Sequence, residues 1–241
     1  MRKVALVTGG AVRVGRALVL GLAEAGYDVA FSWRSSEGPA AETERRVRQL
    51  GRRALSVQAD ISVGSDVEKM RRQVEEGFGR LDLLVNSAAS FESIPLMEID
   101  EEAWDRVMAT NLKGPFLMVR AFTELLRESG GNVVNMVDLS AFEPWVSYPH
   151  HSVSKAGLMH LTRIMARALA PQVRVNAIAP GNVLPPEHHS EAEVEADRAQ
   201  TPVGHIGTPE DVVRTVLFLA GSPFITGEVI VVDGGRRLGR G

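Results

Sequence analysis

The sequence predicts one α/β domain on a doubly wound parallel sheet of about seven strands, with helices on both faces. Three observations carry this. Short apolar, β-branched runs alternate with helix-periodic segments along the whole chain. The first run, Val4-Ala5-Leu6-Val7, stops at Thr8-Gly9-Gly10 and restarts as a helix. At 241 residues, the chain is the size of one large α/β domain rather than two small ones. Strict alternation implies right-handed crossovers, and such sheets bind ligands beyond the carboxyl ends of their strands.

Each element follows in order. A strand that ends at glycines and resumes as a helix, here about 13–26, aims unpaired N–H groups and a partial positive charge at the crevice. That geometry suits phosphate and makes a dinucleotide the expected ligand, with Gly9 and Gly15 permitting the close turn. Asp28–Ser32 reads as the second strand, ending at Trp33-Arg34-Ser35-Ser36 before a helix at about 39–50. Ala54–Gln58 ends at Asp60-Ile61, and Ser65-Asp66-Val67-Glu68 reads as a capping box for a helix at about 65–78. Leu81–Val85 leads into Asn86-Ser87-Ala88-Ala89-Ser90-Phe91. The helical stretch at about 100–128 splits near Asn111–Gly114. Asn132–Val137 ends at Asp138, and Pro149 opens a helix at about 150–170. Val173–Ala179 runs into Pro180-Gly181-Asn182. The stretch at about 182–205, rich in proline, acids and histidine, reads as an irregular, mobile lid over the crevice. Thr208-Pro209-Glu210-Asp211 combines an N-cap, an N1 proline and early acids to open a helix at about 209–221, before the last strand, Val229–Val232.

Composition narrows the function. Apolar residues make up 44% and charged residues 24%, which suits a globular protein, and a net charge of -3 gives no reason to expect a nucleic-acid or membrane partner. With no cysteine, disulfides and thiolate zinc sites are excluded. The chain enters a strand at once, without a signal segment or an apolar run of ~18 residues, so the expected location is cytoplasmic.

T-G-x-x-x-R-x-G at 8–15, Asp60, N-x-A at 86–88, Asn111 with Gly114, Lys155, Pro180-Gly181 and Val232-Asp233-Gly234-Gly235 together resemble the short-chain dehydrogenase/reductase family, over essentially the whole chain. Within it the chain looks most similar to pteridine reductases, which carry arginine at the place of Arg13, aspartate at that of Asp138 and a phenylalanine matching Phe91. The resemblance implies a Rossmann-type domain over 1–241 that binds NADP(H). It places Gly9, Arg13, Val14, Gly15, Asp60, Ile61, Asn86, Ser87, Ala88, Pro180, Gly181 and Val183 along the coenzyme, with Lys155 on the nicotinamide ribose. It also implies that Phe91, with Ser90 and Asp138, meets a small substrate, Phe91 stacking a flat ring against the nicotinamide. The residues themselves favour the phosphorylated coenzyme. The second strand ends without the acid that would bind the ribose hydroxyls of NAD, whereas Arg34 offers a bidentate fork and Ser35 and Ser36 add hydroxyls for a 2′-phosphate. Arg13 at a helix N-terminus is in the dipole-unfavourable place for a solvated cation, which points to an anionic partner or a substrate carbonyl.

Reducing a C=O or C=N bond needs a proton donor beside the acceptor atom. The family uses a tyrosine, a lysine four residues later, a serine or aspartate thirteen before the tyrosine, and an asparagine. Lys155, Asp138 and Asn111 match, but His151 occupies the tyrosine position. Three readings stand. His151 is the donor, since histidine titrates near neutrality and its i to i+4 spacing keeps it beside Lys155. Alternatively Tyr148 substitutes from the loop before Pro149, or the chain binds coenzyme without catalysis, as a sensor or scaffold. Reduction of acyl or sugar carbonyls is a further alternative.

The remaining candidates are weaker. His150 points about 100° from His151, which argues against a metal pair. His188-His189 with Glu187 and Glu191 reads as solvated chain, so no metal is expected. Trp33 suits either the adenine or surface cover. Surplus apolar residues on the helices at about 100–128 and 150–170, namely Phe116, Met118, Phe122, Met159 and Met165, point to subunit contact; the family resemblance implies a homotetramer.

Overall fold

The structure is a computed structural model that describes residues 2–185 and 190–239. Seven strands form one parallel sheet: β1 (Val4–Val7), β2 (Asp28–Trp33), β3 (Ala54–Gln58), β4 (Leu83–Asn86), β5 (Asn132–Met136), β6 (Arg174–Pro180) and β7 (Val229–Val232). Their order is β3-β2-β1-β4-β5-β6-β7. The chain first builds outward from β1 to β3, then returns to lay β4 on the other side of β1. That reversal opens a crevice at the carboxyl ends of β1 and β4.

The helices are α1 (Arg13–Glu24), α2 (Glu37–Gln49), α3 (Gly64–Phe78), α4 (Glu101–Met108), α5 (Gly114–Ser129), α6 (Pro149–Leu169), α7 (Glu191–Ala199) and α8 (Pro209–Gly221). The two-residue period of β1 distributes it between two cores. Ala5 and Val7 pack with Leu18, Leu22, Val212 and Val216 of α1 and α8. Val4 and Leu6 pack with Met70, Met118, Phe122 and Met165 of α3, α5 and α6. Phe122 is fully buried, so Phe122→Ala would cost about 3–5 kcal/mol.

Several expectations are corrected. Ser65 caps nothing: α3 starts one residue earlier, after Val63, because the Asp66 carboxylate is drawn to the turn after β3, where it accepts the Asp60 N–H at 3.0 Å. β4 begins at Leu83 rather than Leu81, because Asp82 is used first as a side-chain acceptor for the Val4 N–H at 2.8 Å. The stretch expected to be irregular contains α7. Ser190 and Glu193 form the capping box that starts it, with Ser190 N–H donating to Glu193 Oε2 at 2.7 Å. Glu187, His188 and His189 lie outside the described residues, so the reading of that histidine pair lies there too. Met118, Phe122 and Met165 face the protomer's own core, leaving Phe116, Val153 and Ile164 as the exposed apolar residues of α5 and α6.

The capping expected at Thr208 is present, its N–H donating to Asp211 Oδ2 at 2.7 Å. The split expected near Asn111 is a π-helical turn, Ala109–Lys113, which joins α4 to α5 without a break. No helix among the described residues is long and apolar enough to cross a membrane. Among the same residues no group of histidine, aspartate and glutamate side chains could hold a metal ion.

Candidate active site

Backbone geometry builds the first half of the site. Gly9 has φ +68°, and a Cβ on Gly15 would stand 2.1 Å from the Gly9 carbonyl oxygen, so neither position accepts a side chain. Thr8 Oγ1 accepts the N–H groups of Ser87 (2.9 Å) and Ala88 (3.0 Å), tying the end of β1 to the end of β4. The N-terminus of α1 has no side-chain cap and no acid in its first turn, which preserves its positive end. Around this turn lies a cavity of about 460 Å³. Gly9, Arg13, Val14, Gly15, Arg34, Ser35, Ser36, Asp60, Ile61, Ser87, Ala88, Ser90 and Phe91 line it, together with Trp33.

Two arginines border the cavity in different settings. Arg13 has φ 51°, a left-handed conformation that costs a side-chain-bearing residue roughly 1–2 kcal/mol, and its Nη2 donates to the Leu184 carbonyl at 2.8 Å. The partner that the structure gives it is thus a carbonyl of the segment after β6. Arg34 is 66% exposed and stands 3.8 Å from Asp60 Oδ2. Burial pushes the Asp60 carboxyl up, but hydrogen bonds from Ser62 and the Arg34 charge outweigh it and hold the group below the ordinary range. The open glycine cradle, the uncapped helix end and the exposed guanidinium beside two serines together fit a dinucleotide carrying an extra phosphate.

Five residues placed along the coenzyme from the sequence do not line this cavity: Lys155, which belongs to the cluster described below, and Asn86, Pro180, Gly181 and Val183. Asn86 turns into the sheet, where its Nδ2 donates to Asn135 Oδ1 at 2.8 Å across the β4–β5 register. Pro180 ends β6 opposite Val232. Gly181 packs against Asp233, and Val183 is buried.

The second half is a hydrogen-bonded cluster behind Phe91. His151 Nε2 lies 2.7 Å from Asp138 Oδ2, with the histidine side chain 2% and the aspartate side chain 20% exposed. His151 Nδ1 is 3.1 Å from the Ser90 carbonyl and 3.3 Å from Asn111 Nδ2. Asn111, in the π turn, also donates to the Ser90 carbonyl (2.9 Å) and Ser154 Oγ (3.0 Å), while its Oδ1 accepts the Ser90 N–H at 2.7 Å. The Ser140 N–H donates to Asp138 Oδ1 at 2.9 Å, and the Ser140 hydroxyl binds the same oxygen. Burial pushes the Asp138 carboxyl up, yet the His151 hydrogen bond and the Lys155 charge more than offset it and hold it below the ordinary range. Lys155 is buried, its Nζ donating to the Met136 carbonyl at 2.8 Å; burial lowers its pKa against the opposing pull of Asp138.

An ionised Asp138 fixes the proton on Nε2. Nδ1 then has a choice of partners: protonated, it donates to the Ser90 carbonyl; bare, it accepts from Asn111. Either charge state of the ring is satisfied, as acid–base chemistry requires.

Aromatic rings complete the wall. Phe91 stacks on Tyr148 at 4.2 Å between centroids and meets the His151 ring edge-on at 4.6 Å. Tyr148 is the N-cap residue of α6, in the loop before Pro149, as its position in the sequence implies. His150 is buried with neither ring nitrogen partnered among the described residues, and that burial lowers its pKa. Sequence reasoning missed Ser140, Ser154, Trp145 and the Ser90 carbonyl. An acceptor-then-hydroxyl spacing at Asp138 and Ser140 is a readable local turn signal; the direction of a backbone carbonyl is not.

Residues 10–237 match the family described as enoyl-(acyl carrier protein) reductase. The chain is 34% identical over 241 residues to the 3-oxoacyl-[acyl-carrier-protein] reductase of Staphylococcus epidermidis, covering 98% of this chain and 99% of that one. Among solved structures it is similar to a short-chain type dehydrogenase/reductase from Mycobacterium marinum, at TM-score 0.89 and 30% identity, covering 97% of this chain and 95% of that one. It is also similar to the acetoin dehydrogenase of Salmonella typhimurium, at TM-score 0.90 and 27% identity, covering 100% and 98%.

Proposed function

The chain belongs to the short-chain dehydrogenase/reductase family and is a nicotinamide-dependent oxidoreductase, and on that footing we propose that it uses NADPH to reduce a C=O or C=N bond in a small, flat-ring substrate, in the manner of pteridine reductases. The observation that carries this reading is the 2.7 Å contact between His151 Nε2 and Asp138 Oδ2, at the wall on which Phe91 stands.

Gly9, Gly15 and the first turn of α1 would hold the pyrophosphate, and Arg34 with Ser35 and Ser36 the 2′-phosphate. The bound coenzyme supplies hydride. Every other step falls to side chains of this chain. Phe91 presents its exposed face for a flat ring, while Tyr148 backs its other side. The imidazolium of His151 holds a proton on Nε2 at the carboxylate of Asp138, the more exposed member of the pair. That proton would pass by way of Asp138 Oδ2, 2.7 Å from Nε2, to the oxygen or nitrogen on which negative charge develops. The ring, left with Nδ1–H on the Ser90 carbonyl, then takes a proton back on Nε2 to restore the resting pair with the Asp138 carboxylate. Ser140 fixes Asp138 so that the proton is offered from one place, and the Lys155 charge keeps that carboxylate ionised.

A second reading, reduction of an acyl carbonyl, is favoured by the 34% identity to 3-oxoacyl-[acyl-carrier-protein] reductases. Loss of NADPH absorbance with a panel of pterins, quinones, diketones and 3-oxoacyl thioesters separates the two. Turnover of pterins above all others supports the flat-ring reading, and preference for thioesters supports the acyl reading. No turnover with any of them, alongside tight NADPH binding, leaves a coenzyme-binding sensor or scaffold.

The protein is further proposed to assemble as a homotetramer through α4, α5 and α6. Exposed Phe116 and Ile164 flank a cavity of about 720 Å³ on that face, an apolar surface that a two-fold partner would cover.

A further inference from the structure

We propose that Asp197 is a positioning residue for the substrate side of the site, a carboxylate that pins α7 to the segments on either side of it; this rests on the reductase reading above. Asp197 lies in the last turn of α7. Its Oδ1 accepts from Arg236 Nη1 at 2.9 Å, and its Oδ2 accepts from Asn182, just beyond β6. Arg236 Nη2 also donates to Gln200 Oε1 at 3.1 Å, holding the C-cap residue of the same helix. One carboxylate thus joins three parts of the chain: the end of β6, α7 and the turn after β7.

The anchor itself is firm. After β7 the Asp233 carboxylate accepts the N–H groups of Gly235 and Arg237, each at 2.8 Å, which fixes Arg236 between them. Arg237 is further held over the Phe142 ring at 4.6 Å. α7, by contrast, has nine residues and none of them is buried. A helix that short is marginal unless something outside it holds it in place. The side chains of Asp197 and Arg236 are 17% and 28% exposed, so solvent screens their attraction less than that of a surface pair.

What α7 faces gives the clamp its consequence. Ala199 and Gln200 stand across a cavity of about 440 Å³ from Leu139 and Trp145. Leu139 follows Asp138 in the chain, and the Trp145 ring lies 6.4 Å from that of His151 at an interplanar angle of 12°. Asp197 therefore sets how far α7 stands from the wall that carries the Asp138–His151 pair.

The test compares the full-length parent with Asp197→Asn, which keeps a bond to Asn182 but loses the charge on Arg236, and with Arg236→Lys, which keeps the charge. Amide exchange of residues 190–200 is measured together with kcat, KM, NADPH affinity and Tm. The expected result for Asp197→Asn is faster exchange confined to α7 and a KM raised about five- to tenfold, with kcat, NADPH affinity and Tm unchanged. Arg236→Lys should fall between that variant and the parent. Unchanged exchange and KM would overturn the proposal. So would a joint fall of Tm, kcat and NADPH affinity, which marks a structural role only. Faster α7 exchange in a protein whose parent reduces nothing would sustain the clamp and overturn the reductase reading instead.

Discussion

His151 and Asp138 form a buried-to-exposed pair, the imidazole enclosed and the carboxylate reaching the surface of the site, with 2.7 Å between Nε2 and Oδ2. The pairing gives Asp138 a stability role as well as a chemical one. Its folded pKa is depressed, so its stabilising contribution is complete above the unfolded value of about 3.9 and is lost as pH falls through the folded value. Asp138→Asn should therefore cost about 1–3 kcal/mol at pH 6. Melting curves of parent and variant should converge as the pH drops below the ordinary carboxylate range. Curves that stay equally far apart at every pH would show that the pair adds nothing to the fold.

Coenzyme choice should depend on Arg34. Its exposed fork and the missing acid at the end of β2 predict tighter binding of NADPH than NADH, by ~1.5–3 kcal/mol. Arg34→Asp should erase or reverse that preference. Equal affinities for the two coenzymes in the unmodified protein, measured by calorimetry, would refute the assignment.

The glycine turn predicts a contrast. Gly15→Ala would force a methyl group to within 2.1 Å of a backbone oxygen, so the variant should lose about 1–3 kcal/mol and bind coenzyme weakly. Gly38, in α2, has nothing within 4 Å of its added Cβ, and Gly38→Ala should raise stability by about 0.5–1 kcal/mol. Equal effects at the two positions, seen in thermal melts, would mean that the turn is not closely packed.

Light scattering should report a particle four times the mass of the 26.1 kDa protomer. Phe116→Asp with Ile164→Asp should yield smaller species, because two charges would then sit in the covered face. A monomer at micromolar concentration of the unmodified protein would contradict the assembly.

The sequence made the sheet legible because β1, β2 and β5 are continuous buried runs, and because glycines and Asp138 mark strand ends. Lys155, Asp138 and Asn111 were readable through the family resemblance, whose offsets they match. Other features depended on folding. Asn86 carries the right spacing for the coenzyme, but the register of β4 with β5 turns its amide to Asn135. Met118 and Phe122 read as surplus apolar residues until the packing of α3 against α5 covered them. The Arg13 bond to Leu184 spans 171 residues, a separation that no local pattern encodes. The partners of His151 at Ser90 and Asn111 depend on a π turn, which a sequence read for ordinary helical spacing does not distinguish from a break.

His151 as proton donor is checked by the pH profile of steady-state NADPH oxidation in the parent, His151→Ala and His151→Tyr. The parent should show a pH dependence that His151→Ala lacks, because general-acid catalysis by the ring is lost with it. His151→Ala should lose ~10²-fold or more of the rate with NADPH affinity nearly unchanged, and His151→Tyr should shift the profile toward higher pH. A parent that reduces substrate well, with His151→Ala equally fast at every pH, would contradict the account and move the proton source to Tyr148 or to solvent.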